Sequence, residues 1–260
     1  MENLERIYTI QLHNVTLGYG DRVLMADANV GFGWGELTAL IGRNGTGKST
    51  LLRTIAALAK PQKGTITVAG KDVASLSMRE VASQISFVST DDVRVQNLHV
   101  WDVVSLGRAP YTNWVGRLTE EDRAKVEESL RLVGMEAFRE ASMESLSDGE
   151  RQRVMIARAL AQDTPIILLD EPTAFLDLPN KYEICLLLKE LAHKEGKCIL
   201  FSTHDLSIAI ELCDTIAMIE GGKFRYGTAE MLIENGDLGR IFERTQIEFD
   251  REKGNVRLKR

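Results

Sequence analysis

The sequence predicts an α/β protein with a largely parallel sheet at its core, an antiparallel β-subdomain near the N-terminus and a helical insert. Apolar runs at 37–41, 166–169 and 198–203 are typical of parallel strands that are buried on both faces. Residues 7–30 instead resemble several short strands separated by turns, as in a small antiparallel sheet. From about 97 to 161 the pattern is helical, with few strand signals.

Composition narrows the range of functions. The chain has 260 residues, a hydrophobic content of 44% and a net charge of −6, so it can form a substantial core and does not resemble a general nucleic-acid binder. Residues 1–6 lack the features of a signal peptide, and no apolar run approaches the length of a membrane span. We therefore expect a cytosolic chain. The odd number of cysteines, which is three, predicts buried thiols in a reducing compartment.

A glycine-rich loop follows the first apolar strand. Its residues match the pattern G-x-x-x-x-G-K-[ST]: Gly42, Arg43, Asn44, Gly45, Thr46, Gly47, Lys48, Ser49 and Thr50. Glycines allow backbone N–H groups to converge on phosphate oxygens, and the helix predicted over 49–58 adds positive potential at its N-terminus. Lys48 would reach the β- and γ-phosphates and Ser49 would bind Mg²⁺, so the loop predicts a nucleoside triphosphate with magnesium.

Two carboxylates and a histidine follow the next two apolar strands. Asp170 and Glu171 come directly after 166–169, and His204 follows 198–203. Ligands of open α/β sheets bind at the carboxyl ends of the strands. Asp170 would help to hold Mg²⁺, and Glu171 would orient or deprotonate an attacking water. The alternatives are solvated acids in a turn and a structural histidine.

Helix starts carry the remaining signals. Ser147 and Glu150 form a predicted capping box for a helix that continues to Leu160, and Gly149 in its first turn leaves room for a phosphate. Thr119 is predicted to begin another helix. Tyr19 lies 23 residues before Gly42 and is either a base-stacking aromatic or an ordinary strand-end tyrosine.

Taken together, these residues resemble the ATP-binding cassette (ABC) ATPases over roughly residues 7–230. Residues 42–50 resemble the Walker A loop and 166–170 Walker B, with Glu171 at the catalytic glutamate position. Residues 146–150 resemble the signature and 174–177 the D-loop. The resemblance implies that His204 is the switch histidine, that Tyr19 stacks on adenine and that Asp177 belongs to the D-loop. It also implies ATP and Mg²⁺ as ligands.

The resemblance further implies an assembly and a domain organisation. Two chains would form a head-to-tail homodimer in which each ATP lies between the Walker A loop of one chain and Ser147, Gly149 and Glu150 of the other. The fold would be a P-loop NTPase (RecA-like) core with the antiparallel β-subdomain, comprising 1–88 and 162–260. The helical (signature) subdomain would comprise 89–161.

The stretch 105–111, together with the length and the absence of a membrane span, resembles bacterial importers of the iron-siderophore, haem and cobalamin type. This implies an ATPase subunit on the cytoplasmic face of the inner (plasma) membrane. It would contact integral-membrane permease subunits through residues near 90–115 and serve a substrate-binding protein indirectly, without nucleic acid. The alternatives are the ATPase of an exporter, a soluble non-transport ABC ATPase and a nucleotide-binding regulator that scarcely hydrolyses ATP.

The chain departs from the family pattern at three positions. Where the family carries a glutamine after the strand at 85–88, this chain has Ser89 and Thr90, and Gln96 lies six residues beyond Thr90. In the signature, Asp148 replaces the usual glycine and Glu150 the usual glutamine. We expect Asp148 to point outward from the first helical turn, because an acid that faced a docking phosphate would repel it.

Overall fold

A computed structural model of the protein describes residues 8–89, 97–112, 116–243, 246–250 and 255–259. Ten strands form one mixed sheet: β1 (Tyr8–Tyr19), β2 (Arg22–Gly33), β3 (Leu37–Ile41), β4 (Lys63–Val68), β5 (Lys71–Asp72), β6 (Ile85–Val88), β7 (Ile166–Leu169), β8 (Cys198–Ser202), β9 (Thr215–Glu220) and β10 (Lys223–Gly227). Their order across the sheet is β5-β4-β1-β2-β10-β9-β3-β8-β7-β6.

The parallel half of the sheet matches the prediction from the apolar runs. β3 pairs in parallel with β8 and β9, and β7 pairs in parallel with β6 and β8. Every residue of β3, β7 and β8 is buried, as the continuous apolar sequence requires for strands covered on both faces. The carboxyl ends of β3, β7 and β8 therefore meet at one edge, where residues 42, 170 and 203 follow them.

The antiparallel strands join the parallel ones in a single sheet. A single parallel pair, Ala26 with Lys223, connects β2 to β10. The prediction of several short strands over residues 7–30 is wrong, because β1 and β2 are each continuous over twelve residues. The register shifts between β1 and β2, and Asn14 and Asp27 adopt positive φ angles of 51°. These irregularities interrupt the alternation of polar and apolar residues that marks a strand.

Eight α-helices are present in the described ranges: α1 (Lys48–Ile55), α2 (Met78–Gln84), α3 (Val100–Ser105), α4 (Glu120–Leu132), α5 (Asp148–Ala161), α6 (Leu178–Lys194), α7 (Leu206–Leu212) and α8 (Ala229–Glu234). The capping box predicted at Ser147 begins α5, and the helix start predicted at Thr119 begins α4, where the structure adds a capping box with Asp122. α1 ends at Ile55, before the predicted end at residue 58, because Ala57 adopts a left-handed φ of 56°. None of the helices in these ranges is long and apolar enough to cross a bilayer.

Arg108 connects three helices of the insert. Its Nε donates to Asp122 Oδ1 at 2.8 Å and its Nη1 donates to the carbonyl of Ala161 at 2.8 Å. The guanidinium lies 4.1 Å from the centre of the Tyr111 ring, whose hydroxyl donates to the carbonyl of Gln162 at 3.0 Å. Charges this deeply buried require a partner. Arg108 and Tyr111, within the stretch 105–111 that resembles importers, therefore stabilise the packing of α3, α4 and α5.

Gln162 then connects α5 to the sheet. Its Nε2 donates to the carbonyls of Ala82 at 2.7 Å and Ile85 at 2.9 Å, at the junction of α2 and β6. All ten strands of the sheet lie outside residues 89–161, and α3 to α5 lie inside them. Even so, buried residues of α3 and α5 belong to the same apolar cluster as residues of β3, β7 and β8. The division into two subdomains stays a prediction.

The cysteines are free thiols, and a two-stranded sheet lies near the C-terminus. Cys185 and Cys198 are buried, and burial raises the pKa of each thiol to about 12. The prediction of buried thiols is therefore confirmed for Cys185 and Cys198 and is wrong for Cys213, which is intermediate in exposure. Strands β11 (Ile247–Asp250) and β12 (Asn255–Leu258) pair with each other in an antiparallel fashion.

Candidate functional site at the carboxyl edge of the sheet

The glycine loop connects β3 to α1 in backbone conformations that favour glycine. Gly42, Gly45 and Gly47 have φ angles of 151°, 76° and 112°. A Cβ atom on Gly42 would lie 2.4 Å from the carbonyl oxygen of Ile219 in β9, so this position has no room for a side chain. The loop can therefore lie close against the sheet and present its backbone N–H groups at the N-terminus of α1.

Lys48 lies over this loop and is only 5% exposed. Its Nζ donates to the carbonyl of Gly42 at 2.9 Å and lies 3.4 Å from that of Arg43. Burial lowers the pKa of Lys48, while the nearby charges of Glu171 and Asp170 act in the opposite direction. The ammonium is thus largely removed from water and close to two carboxylates. This setting makes it available to the terminal phosphates of a nucleotide.

Asp170 is held by two hydroxyl groups. Ser49 Oγ donates to Asp170 Oδ1 at 3.0 Å, and Ser202 Oγ donates to the same oxygen at 2.7 Å. Asp170 is 3% exposed. Ser202 also accepts a hydrogen bond from the backbone N–H of Glu171 at 2.8 Å. One serine at the end of β8 therefore positions both carboxylate residues that follow β7.

The oxygen atoms of Ser49 and Asp170 suit a magnesium ion. Mg²⁺ prefers hard oxygen ligands and is commonly bound by one or two carboxylates together with substrate phosphates. A hydroxyl and a carboxylate oxygen 3.0 Å apart, directly beside the phosphate loop, provide such a donor set. The residues present therefore fit the cofactor that their sequence pattern predicts.

Glu171 and His204 form the outer part of the site. His204 Nε2 lies 2.5 Å from Glu171 Oε1, and their side chains are 44% and 27% exposed. Glu171 adopts a φ of 51°, a left-handed conformation that costs a residue other than glycine roughly 1–2 kcal/mol. Such strain at the end of a core strand is common where a side chain must face a ligand.

A cavity of about 430 Å³ lies in front of these groups. The predicted site residues that line it are Tyr19, Asn44, Gly45, Gly47, Lys48, Ser49, Thr50, Glu171 and His204. Tyr19 is 66% exposed, and its hydroxyl lies 2.9 Å from the Thr50 hydroxyl, so either can donate. The lining thus combines an aromatic ring, the phosphate-loop residues and the acid–histidine pair. This lining suits a nucleotide with its base on Tyr19.

The signature residues lie elsewhere in the chain. Ser147, Gly149 and Glu150 form the start of α5, and none of them is among the residues that line the cavity. Glu150 Oε2 accepts hydrogen bonds from the backbone N–H and the hydroxyl of Ser147, at 2.8 and 2.7 Å. These two bonds lower the pKa of the Glu150 carboxyl. Asp148 is 69% exposed and pairs with Arg151 at 3.2 Å, so it points outward as expected.

The signature and the D-loop meet within one chain. A Cβ atom on Gly149 would lie 2.9 Å from Asn180 Oδ1, in the first turn of α6. Asp177, the N-cap of α6, accepts hydrogen bonds from the Asn180 backbone at 3.1 Å and side chain at 2.7 Å. A larger residue at the signature glycine would therefore have to displace the Asn180 side chain. Thr90 and Gln96 lie outside the described residues, as do parts of the predicted permease contact near 90–115.

Sequence analysis missed Ser202, Arg22, Leu24 and Asn180. Leu24 and Arg22 line the cavity, and Ser202 and Asn180 position other residues. Ser202 carried a usable signal, because it is a polar residue in an otherwise apolar strand and comes just before His204. Arg22 and Leu24 carried no such signal, since their approach to the loop depends on tertiary structure.

Replacing Ser202 with alanine is expected to lower the apparent Mg²⁺ affinity of the ATPase by about 10- to 100-fold. A residue that hydrogen-bonds to a metal ligand typically contributes a factor of this size to metal affinity. The variant would leave Asp170 without its shorter hydroxyl bond. The measurement is a magnesium titration of ATP turnover. Ser86→Ala is a matched control, since Ser86 is equally buried but donates only to the carbonyl of Ile166. Identical titrations for Ser202→Ala and the wild-type protein would contradict the positioning role.

Comparison with known proteins agrees with this geometry. The family model described as ABC transporter matches residues 25–174. The iron(3+)-hydroxamate import ATP-binding protein of Bacillus subtilis is 37% identical over 90% of this chain and 88% of its own. A petrobactin import ATP-binding protein of Bacillus anthracis is 38% identical over 81% of this chain and 77% of its own.

Solved structures agree as well. A dimeric ATP-binding cassette in a post-hydrolysis state, bound to ADP and Pi, aligns with a TM-score of 0.71 and 31% identity. The alignment covers 84% of this chain and 98% of the cassette. The predicted α/β fold of the P-loop type is therefore confirmed. With a matching family model, import ATP-binding proteins as relatives and an ATPase cassette as a structural neighbour, the chain belongs to the ABC transporter family as an ATP-binding subunit.

Proposed function

We propose that this chain is the ATP-hydrolysing subunit of a membrane importer. The observation that carries the proposal is that the paired Glu171 and His204 line the same cavity as the phosphate loop. A triphosphate held by the loop would place its terminal phosphate toward this pair. A water molecule between Glu171 and that phosphate could then attack in line.

Each residue has a distinct part in this reaction. The loop N–H groups and Lys48 stabilise negative charge on the β- and γ-phosphates. Glu171 orients the water and accepts its proton, and His204 positions Glu171 through their hydrogen bond and approaches the γ-phosphate. Ser49 and Asp170 would hold Mg²⁺, which supplies further charge neutralisation when bound.

The location of the signature supports a two-chain arrangement. Ser147, Gly149 and Glu150 do not line the cavity of their own chain, although the helix N-terminus at α5 suits a phosphate. In a head-to-tail homodimer, these residues would face the ATP that the Walker A loop of the partner binds. Asp177 would lie at the same interface, next to the signature through Asn180.

The relatives named as hydroxamate, petrobactin and cobalamin import proteins support an import role for an iron-siderophore or cobalamin-type substrate, and haem is added by the sequence resemblance alone. Separate permease subunits would carry the substrate across the membrane. The chain would then act on the cytoplasmic face of the inner membrane. A substrate-binding protein would take part without touching this chain. The contact with the permease would lie near residues 90–115.

The test is a pull-down of the tagged chain from detergent-solubilised membranes of its native cell, with mass spectrometry of the partners. We expect a polytopic membrane protein, accompanied by a substrate-binding protein in the same preparation. Lys48→Ala is the control, because it removes the phosphate-binding cation and leaves the permease-facing surface intact. Capture of a membrane protein without any substrate-binding protein would favour an exporter. Ribosomal proteins or DNA, without a membrane partner, would contradict the importer assignment.

A further inference from the structure

Arg22 lies directly across from Tyr19 in the first hairpin. Tyr19 ends β1, Arg22 begins β2, and the two residues are register partners in the antiparallel pair. Side chains at directly opposed positions project from the same face of a sheet. Both residues accordingly line the 430 Å³ cavity. The turn between them therefore places a guanidinium beside the ring that would stack on the base.

The Arg22 guanidinium makes no hydrogen bond or ion pair with any residue in the described ranges. Arg108, by comparison, is fully engaged with Asp122 and Ala161 inside the helical insert. Most exposed arginines are simply solvated and bind no ligand. Arg22 differs because it lines a cavity whose other lining residues match an anion-binding loop.

The contacts of the cavity residues indicate how a bound nucleotide would lie. Ser49 donates to Asp170, where the terminal phosphate and Mg²⁺ would lie, and Lys48 lies over the loop. Thr50, the next residue in the chain, contacts the hydroxyl of Tyr19 through its own hydroxyl. A nucleotide with its base on Tyr19 and its terminal phosphates at Lys48 would have its ribose and first phosphate between them.

We propose that Arg22 binds the α-phosphate of the nucleotide and is the second cation of the cavity, after Lys48. The inference deepens the proposed function and rests on it. A guanidinium remains charged at any relevant pH and presents paired N–H donors that match phosphate oxygens. Because ATP and ADP both carry an α-phosphate, Arg22 should strengthen the binding of both by the same factor.

The test compares equilibrium binding of ATP, ADP and adenosine, measured by calorimetry with magnesium present. Arg22→Gln should weaken ATP and ADP equally, by about tenfold, as expected for loss of a charge-assisted hydrogen bond. Adenosine should bind as it does to the wild-type protein. Arg22→Lys should recover part of the affinity, since lysine keeps the charge and loses the paired donors. High salt should reduce the difference between Arg22→Gln and wild type.

Arg53→Gln is the matched control, because it removes the same charge from an exposed position on α1 that does not line the cavity. Three results would overturn the inference: an unchanged ATP affinity in Arg22→Gln, a loss confined to ATP, or an equal loss for adenosine. A similar loss in Arg53→Gln would also overturn it. If wild-type protein failed to bind ATP, the proposed function would fall and this inference with it. If the wild-type protein binds ATP, Lys48→Ala does not, and Arg22→Gln binds ATP with the wild-type affinity, then only this inference is overturned and the proposed function stands.

Discussion

Replacing Glu171 with glutamine is expected to lower ATP turnover by about 10²- to 10⁴-fold, the range typical for loss of a general base. Glutamine has nearly the same shape as glutamate but cannot accept a proton from water. The Glu171 backbone is held by Ser202, which does not depend on the side chain. ATP should therefore still bind. The measurements are phosphate release at saturating ATP and, separately, equilibrium ATP binding.

Glu190→Gln is the control, because Glu190 is an exposed acid on α6 that pairs only with Lys194 among the described residues. Its turnover should equal that of the wild-type protein. If Glu171→Gln also kept the wild-type rate, and that rate were slow, the chain would be a nucleotide-binding regulator. This test separates an active ATPase from a nucleotide-binding regulator. It is needed because this chain has Ser89 and Thr90 where the family carries a glutamine after β6.

Replacing Lys48 with alanine should have the larger effect on binding. Lys48 is the most deeply placed cation of the site, at 5% exposure, and it lies over the loop that would hold the β- and γ-phosphates. Removing a desolvated charge that contacts phosphate typically costs several kcal/mol. We expect ATP affinity to fall by about 100-fold or more and turnover to become undetectable.

Lys60→Ala, just beyond α1, removes the same charge from an exposed position and should bind ATP normally. Circular dichroism and a melting curve would check that both variants are folded. ATPase activity retained by folded Lys48→Ala would refute the mechanism as a whole, including the roles given to Ser49 and Asp170. Loss in both variants would instead indicate a general dependence on net charge.

Local chemistry made much of this structure predictable. The capping boxes at Thr119 and Ser147 and the glycine loop depend on residues only a few positions apart, so their patterns survive in the sequence. The fully apolar β7 likewise identified a buried strand. Because Asp170 and Glu171 directly follow this strand, the sequence alone predicts that they lie at a ligand-binding edge of the sheet.

The parts that could not be predicted depend on distant residues. The continuity of the sheet rests on a contact between Ala26 and Lys223, and nothing in either segment signals the other. Asn180 contacts Gly149 through the packing of two helix starts. The sequence does not distinguish Arg22 from the other arginines of the chain, because only the pairing of β1 with β2 places it opposite Tyr19. Tertiary packing decides each of these positions.

The hydrogen bonds of Gln162 hold one end of α5 against the sheet, so a change in the tilt of this helix mainly displaces its other end. Gln162 anchors the carboxyl end of this 14-residue helix to the sheet, and Ser147 caps the opposite end. A helix of this length extends about 21 Å, so tilting it by about 10° around its anchored end displaces the other end by about 4 Å. That displacement exceeds the length of a hydrogen bond. A small change of angle at the anchored end would therefore be sufficient to make or break the contact that we propose between the signature and a phosphate.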